Sequence, residues 1–185
     1  MTLERVSDKS KKPNMKKNSD IYIFGNKDNF AVQSQILFLG NTQPLEKVQI
    51  WFKGISVGWF EDINLLSITN NQLNFLKNRL EENYIPNDDK FYNFIKQLSK
   101  KNLTKTLSDD NTNFFKISNL GEAFDDFGIF NTLLKNSIGF VWYLGKYGKI
   151  RLPGYRHKIQ YHIIEKSFFI DVVDSYTLAI EKYWK

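Results

Sequence analysis

Short apolar runs in the first third of the chain have the spacing and composition of β-strands. Three runs are rich in β-branched and aromatic side chains and are separated by polar or Gly-containing turns: residues 30–39, 48–52 and 55–60. Such runs, punctuated by Gly, Asn and Pro, are typical of antiparallel strands. The turn at Lys53-Gly54 suits a tight hairpin, because Gly tolerates the positive φ that such turns require. The pattern predicts a β-meander over residues 21–60.

Helical spacing of apolar residues follows the meander. Leu73, Leu76 and Leu80 lie on one face of a helix. The stretch Thr69-Asn70-Asn71 offers side chains suited to the N-cap of that helix, and Pro86 disfavours helical geometry at the residue before it. The same apolar spacing recurs in two later segments. The pattern predicts three helices, over residues 70–83, 88–101 and 171–184.

The segment between the second and third helices returns to a strand-like composition. Strands are predicted at residues 114–117, 127–134, 138–144 and 158–164. The apolar residues of 127–134 also fit a helical face, so a helix stays an alternative there. Together the runs predict an α+β fold, in which an antiparallel sheet of about six strands from residues 21–60 and 114–170 is covered by two or three helices. The side chains expected to face the core include Phe38, Ile50, Trp51 and Trp142.

The distribution of charge separates the N-terminus from the rest of the chain. The 185 residues are enough for one domain that buries its own core. Residues 1–19 carry +4 of the net charge of +6. They are polar, Lys-rich and without periodicity, which predicts a disordered basic arm. Composition favours a solvated tail, with a nucleic-acid or anionic-surface arm as the alternative. We predict this arm at 1–19 and a single α+β domain at 20–185.

Residue types that carry catalysis or bind metals are sparse. The chain contains no cysteine, which excludes disulfides, thiolate catalysis and cysteine-based zinc sites. His157 and His162 are five residues apart on a predicted strand, and an odd separation places them on opposite faces. The acidic pairs at 109–110 and 125–126 lack a third ligand at a suitable spacing. We therefore expect no enzyme activity, no cofactor and no metal site.

The hydropathy of the chain indicates neither a membrane span nor a signal peptide. No apolar run approaches the ~20 residues that span a bilayer. The basic N-terminus lacks the apolar core of a signal peptide. We expect a cytoplasmic protein that does not enter a membrane.

Charged residues of opposite sign gather in two segments of the second half. One is a Gly- and Pro-rich loop in which cations alternate with tyrosines, and the other is an acidic turn. Aromatic and Arg residues with a charged rim are typical of a protein-binding surface, and a solvated loop rim is the alternative. The residues predicted to bind a partner are Lys146, Tyr147, Lys149, Arg151, Tyr155, Arg156, Lys158, Glu122, Asp125 and Asp126.

The meander also carries short phrases that resemble a family of bacterial immunity proteins. Members of immunity family forty-two open with a phrase like F-G-D-x-S-x-F-A-I, continue with W-I-N-G-x-x-I-G-D, and then enter a Leu-rich helix. In this chain the corresponding residues, in order, are 24–26 with 30–32, 51–58, 73–80, 122–125 and 140–142. Lys53 replaces the family's Asn, and Trp59-Phe60 replaces its Asp-Tyr. The resemblance covers most of residues 21–185.

The sequence leaves two candidate functions that belong to different classes. The resemblance implies a protein of contact-dependent growth-inhibition or related polymorphic toxin systems, which binds and neutralises the toxin domain encoded with it and has no catalysis of its own. The alternative is a small nucleic-acid-binding domain that uses the basic arm and the 146–158 loop. Nucleic-acid affinity would fall steeply with salt and with removal of residues 1–19, whereas toxin binding would survive truncation to Asp20.

Overall fold

The strands of this chain form two antiparallel sheets. The computed structural model describes residues 16–17, 20–38, 43–81, 88–98, 115–117, 120–151, 155 and 158–183. The strands of sheet A are β1 (Lys16–Lys17), β2 (Tyr22–Gly25), β3 (Phe30–Phe38), β4 (Leu45–Phe52), β5 (Ile55–Val57) and β6 (Ile63–Leu65). They have the order β1-β3-β4-β5, with β2 also paired to β3 and β6 also paired to β4. Sheet B has the order β10-β9-β8-β7. Its strands are β7 (Phe115–Lys116), β8 (Phe127–Leu133), β9 (Ser137–Leu144) and β10 (Gln160–Glu165).

Helices connect and cover these sheets. Those in the described part of the chain are α1 (Leu66–Glu81), α2 (Asp88–Leu98), the short α3 (Gly148–Arg151), α4 (Lys166–Glu181) and a 3₁₀ turn at Glu122–Phe124. The predicted α+β class is confirmed. The strands are divided between two sheets rather than joined in one, and the predicted strand rather than the helical alternative is present at residues 127–133. The predicted extension of α2 to residue 101 lies outside the described residues.

The hairpin at the centre of sheet A follows directly from its sequence. In β4 every second side chain is buried, namely Glu46, Val48, Ile50 and Phe52. The following turn reverses the chain because Lys53 and Gly54 have φ of 50° and 76°, the left-handed geometry of tight hairpin turns. β5 therefore lies beside the end of β4, with Trp51 opposite Ser56.

The core lies between the two sheets and the long helices. Phe52 of sheet A stacks within 4.8 Å of both Phe140 and Trp142 of sheet B, measured between ring centroids. Phe169 of α4 lies 5.1 Å from Phe30 by the same measure. Sheet B and α4 thus share the inner face of sheet A, which explains why one continuous core joins all three.

The structure corrects the expected orientation of Trp51. Ile50 and Trp142 are buried as expected, but Trp51 is only half-buried. Adjacent residues of a strand point to opposite faces, so Ile50 and Trp51 cannot both face the core. The indole of Trp51 instead donates to Gln33 Oε1 at 3.1 Å on the outer face of sheet A. The side chain of Phe38 lies outside the described residues.

Two helices begin earlier than their predicted boundaries. α1 begins at Leu66, directly after β6, because the Leu66 side chain is fully buried and its N–H donates to Pro44 O at 3.1 Å. Thr69 therefore lies inside the first turn and is not the N-cap. α4 begins at Lys166 rather than at 171, since Phe169 belongs to its buried face.

A carboxyl group is buried where α4 crosses sheet A. Glu46 is fully buried and accepts hydrogen bonds from Ser34 Oγ at 2.7 Å and from the Tyr176 hydroxyl at 2.9 Å. Burial raises the pKa of Glu46 from its ordinary value of 4.5 to about 7, while the hydrogen bonds from Ser34, Thr69 and Tyr176 oppose that rise. The inner face of sheet A thus contains one polar network within an apolar core.

Candidate partner-binding site

The predicted basic loop occupies the turn after β9 and the approach to β10. Lys146 and Lys158 are exposed, and Tyr147 has 75% of its surface exposed. The backbone of Lys149 belongs to α3, but its side chain and the whole of Arg156 lie outside the described residues. The described part of the loop therefore displays two exposed lysines and an exposed aromatic ring beside Arg151.

Arg151 is held in a cluster of opposite charges. Its guanidinium donates to both carboxylate oxygens of Asp62, at 2.9 and 3.0 Å, and lies 3.8 Å from Asp126 Oδ2. It also covers the ring of Trp59 at 4.3 Å from the centroid. The Trp59 indole donates to Asp126 Oδ2 at 2.9 Å. The hydrogen bonds to Asp62 raise the pKa of Arg151.

We call Trp59, Asp62, Asp126 and Arg151 the Trp59 cluster. It brings together one predicted basic residue and one predicted acidic residue, Arg151 and Asp126. Sequence reasoning missed Trp59 and Asp62, since their role depends on the loop after β5 meeting α3. Because Arg151 faces two carboxylates, the cluster presents a planar, polar surface and not an isolated positive charge.

The acidic turn lies beside this cluster and is fixed to sheet A. Asn64 of β6 donates to Leu120 O at 2.8 Å and accepts from the Ala123 N–H at 3.0 Å. Gly121 approaches the Asn64 amide so closely that a Cβ would lie 2.6 Å from it. These contacts hold Glu122 and the residues after it in place. Of the three predicted acidic residues, Glu122 and Asp125 are exposed and Asp126 is half-buried.

An open groove separates the edges of the two sheets. It has a volume of about 840 Å³. One wall comes from the end of β4, the hairpin turn and β5, and the other from β10. We call it the inter-sheet groove, and its lining residues are Trp51, Lys53, Gly54, Ile55, Ser56, Trp142, Tyr155, Ile159, Gln160, Tyr161, His162 and Ile163.

At the groove, two hydrogen bonds connect sheet A and its turns to β10 and the segment before it. The Tyr155 hydroxyl donates to Ser56 O of β5 at 3.0 Å. His162 Nε2 of β10 lies 2.8 Å from Asn29 Oδ1 in the β2–β3 turn. Burial raises the pKa of Tyr155 to about 12, and the Trp142 indole opposes the rise. Burial and the charge of Lys53 lower the pKa of His162, so its ring is uncharged at neutral pH.

The charged and polar groups of the groove are mainly hydrogen-bond donors. Lys53 lines it, and the Lys27 ammonium lies 4.1 Å from the ring centroid of Trp51 at the same end. No Asp or Glu is among the lining residues. Gln160 Nε2 is buried and has no hydrogen-bond partner within the described ranges. The groove therefore favours an occupant that offers acceptors and negative charge.

The groove and the Trp59 cluster lie next to each other. The buried ring of Phe127 lies 5.5 Å from Trp59 and 5.8 Å from Tyr155 between ring centroids, and so packs between the cluster and the groove. Among the predicted site residues, Tyr155 lines the groove, Arg151 and Asp126 belong to the cluster, and Glu122 and Asp125 lie beside it. We call the groove, the cluster and the 122–126 turn the binding face.

The residues that the structure describes hold neither a metal-ligand cluster nor a helix that could span a membrane. No group of three His, Asp or Glu side chains is placed to hold a metal ion there. No described helix is long and apolar enough to cross a bilayer.

Comparisons with known proteins show a likeness to a solved structure. No protein-family model matches the chain, and no curated protein matches it. Among solved structures, the crystal structure of CdiI from Burkholderia dolosa AUO158 is similar, with a TM-score of 0.48 and 15% sequence identity. The alignment covers 85% of this chain and 99% of that one.

Proposed function

We propose that this chain is an immunity protein, which binds a toxin domain encoded with it and neutralises that domain by protein–protein interaction. The observation that carries the proposal is the adjacency of the inter-sheet groove and the Trp59 cluster. The chain's resemblance to immunity family forty-two, over most of residues 21–185, names the class of partner. On this proposal the chain binds and does not catalyse, and it acts in the cytoplasm.

The binding face has the composition of a protein interface. Aromatic and Arg side chains are enriched at the centres of such interfaces, while charged residues at the rim set association rate and specificity. Trp51, Trp59 and Tyr155 are partly exposed and supply aromatic surface. Glu122 and Lys146 lie exposed near its margin. A partner that covered this face would bury aromatic rings and meet charges of both signs.

The nucleic-acid alternative has less support from the described residues. The Lys-rich arm that it requires lies almost entirely outside them. Within the 146–158 loop, Arg151 is engaged with Asp62 and Asp126 rather than directed outward as a phosphate contact. We therefore do not advance it as a second function, and the truncation described below tests it.

The experiment that tests the proposal is protection of growing cells. The toxin domain encoded beside this gene is induced in cells that express residues 1–185, residues 20–185, or no immunity chain. We expect both forms of the chain to restore growth equally, because the binding face lies within 20–185. Toxicity that persists with the full chain would refute the proposed function.

Paired tyrosine variants test whether the 146–158 loop, next to the binding face, contacts the toxin. Tyr147→Ala removes an exposed ring from this loop, and Tyr92→Ala removes an exposed ring from α2. If Tyr147 contacts the toxin, its removal weakens binding by about 1 to 2 kcal/mol, and Tyr92→Ala leaves affinity unchanged. Equal affinities for both variants and the wild-type chain would place Tyr147 outside the interface.

A further inference from the structure

We propose that the inter-sheet groove receives an extended, carboxylate-bearing segment of the toxin domain, which pairs as a strand with the outer edge of β10. This inference rests on the proposed function and adds the chemistry and the mode of recognition. It assigns the groove to a polypeptide strand and assigns β10 as its template.

The backbone of β10 supplies the first argument. In the part of the chain that the structure describes, β10 pairs with β9 alone and ends sheet B. An edge strand presents a row of N–H and C=O groups that an added strand can satisfy. The opposite wall is less suitable, since the Ser56 carbonyl of β5 already accepts the Tyr155 hydroxyl. The edge of β10 along the groove is therefore the better template.

The lining of the groove supplies the second argument. Lys53 and the nearby Lys27 place two ammonium groups at one end, against the carboxylate of Asp28 beside Gly54, so this end has a net positive charge. The groove has no carboxylate in its lining, and the Gln160 amide nitrogen is a buried donor without a partner in the described chain. A buried unpaired donor is costly, and an incoming acceptor removes that cost. A segment with Asp or Glu side chains complements both features.

The same lining argues against a single strand of nucleic acid. Such ligands need exposed ring faces for stacking and a continuous line of cations for the phosphates. Trp51 and Tyr161 leave ring surface exposed in the groove, but the two lysines are confined to one end and form no continuous line of cations. Edge-strand hydrogen bonding is a property of polypeptides. We therefore assign the groove to a peptide segment.

Amide hydrogen exchange with the purified toxin domain tests this mode of binding. In the complex, exchange at residues 160–163 should slow by about tenfold or more, because the new strand bonds the edge amides of β10. Two substitutions probe the lining. Lys53→Glu should weaken toxin binding by roughly tenfold or more through like-charge repulsion, and Lys135→Glu, the same change in the exposed β8–β9 turn, should leave it unchanged.

Gln160→Leu separates a binding role from a structural one. The substitution removes a buried donor that has no partner in the described chain, so Tm should stay the same or rise. Toxin affinity should fall by about fivefold, since the donor that the toxin segment satisfies is gone. A structural role for the amide would instead lower Tm and leave affinity intact.

The outcomes separate this inference from the proposed function. If the toxin domain does not bind at all, both are refuted. The toxin domain could instead bind without slowing amide exchange at residues 160–163, and the Lys53 and Gln160 variants could bind it as tightly as wild type does. In that case the immunity function stands and the groove assignment is wrong. If a short oligothymidylate, but not the toxin domain, protects β10, the groove is a nucleic-acid site and the inference is overturned.

Discussion

The buried carboxyl of Glu46 should make the stability of this protein depend on pH. In the folded state its pKa is about 7, whereas the ordinary value is 4.5. Between these values the folded chain keeps a proton that the unfolded chain has released. The unfolded state therefore binds fewer protons, and the free energy of unfolding falls as pH rises through this window. Below pH 4.5 and above pH 7 the contribution is constant.

The size of the effect follows from the difference in pKa. One pKa unit corresponds to about 1.4 kcal/mol, so this difference gives a loss of about 3 kcal/mol between pH 4.5 and pH 7. Glu46→Gln keeps the shape of the side chain and its capacity to accept from Ser34 or Tyr176, but it cannot ionise. The variant should therefore gain about 3 kcal/mol of stability relative to wild type across the same window.

Urea unfolding at a series of pH values measures this difference. The comparison of Glu46→Gln with wild type cancels the contributions of other groups, including His162, whose lowered pKa has the opposite sign. Glu181→Gln, at an exposed position on α4, makes the same chemical change outside the core and should run parallel to wild type. Parallel curves for Glu46→Gln and wild type would show that Glu46 is not a buried, proton-binding group.

Further substitutions test how the two sheets and the 120–126 segment pack together. Chemical denaturation measures the change in the free energy of unfolding for each variant. Asn64→Ala leaves the buried Ala123 N–H without its acceptor and removes the closer of two donors to the Leu120 carbonyl. It should cost about 2 to 4 kcal/mol, while the surface control Asn78→Ala should cost less than about 0.5 kcal/mol. Gly121→Ala should cost at least about 1 to 3 kcal/mol, because φ is 99° and the new Cβ would meet the Asn64 amide. Trp142→Ala should cost about 3 to 5 kcal/mol and the half-buried Trp51→Ala only about 1 to 2 kcal/mol. Equal costs for the two Trp variants would contradict the assignment of Trp51 to the outer face.

The longer strands and helices could be predicted from local sequence because each has its own apolar period, whereas the short β6 and α3 were not predicted. The hairpin around Lys53-Gly54 and the strands at 127–133 and 137–144 follow from alternation and turn residues. The division into two sheets could not be predicted, since it depends on which strands pair across long loops. The orientation of Trp51 could have been inferred from the buried Ile50 beside it, because adjacent strand residues face opposite ways.

The residues of the candidate site could be predicted only in part, from the charge and aromatic content of local segments. Charge and aromatic content predicted Arg151, Asp126 and Tyr155 as candidate site residues, and the structure brings these residues close together. The groove was missed because a strand edge has no sequence signal of its own. Neither Gln160 nor the wall of β5 stands out in composition. Their importance comes from the open space between two sheets, which only tertiary structure creates.

The direct measurement of the central claim is the affinity of purified residues 20–185 for the toxin domain encoded beside the gene, determined by titration calorimetry at low and at physiological salt. The account predicts a saturable one-to-one complex that matches the full chain in affinity and is weakened only modestly by salt. Absence of binding to the toxin domain, together with nucleic-acid binding that falls steeply with salt and disappears without residues 1–19, would contradict it.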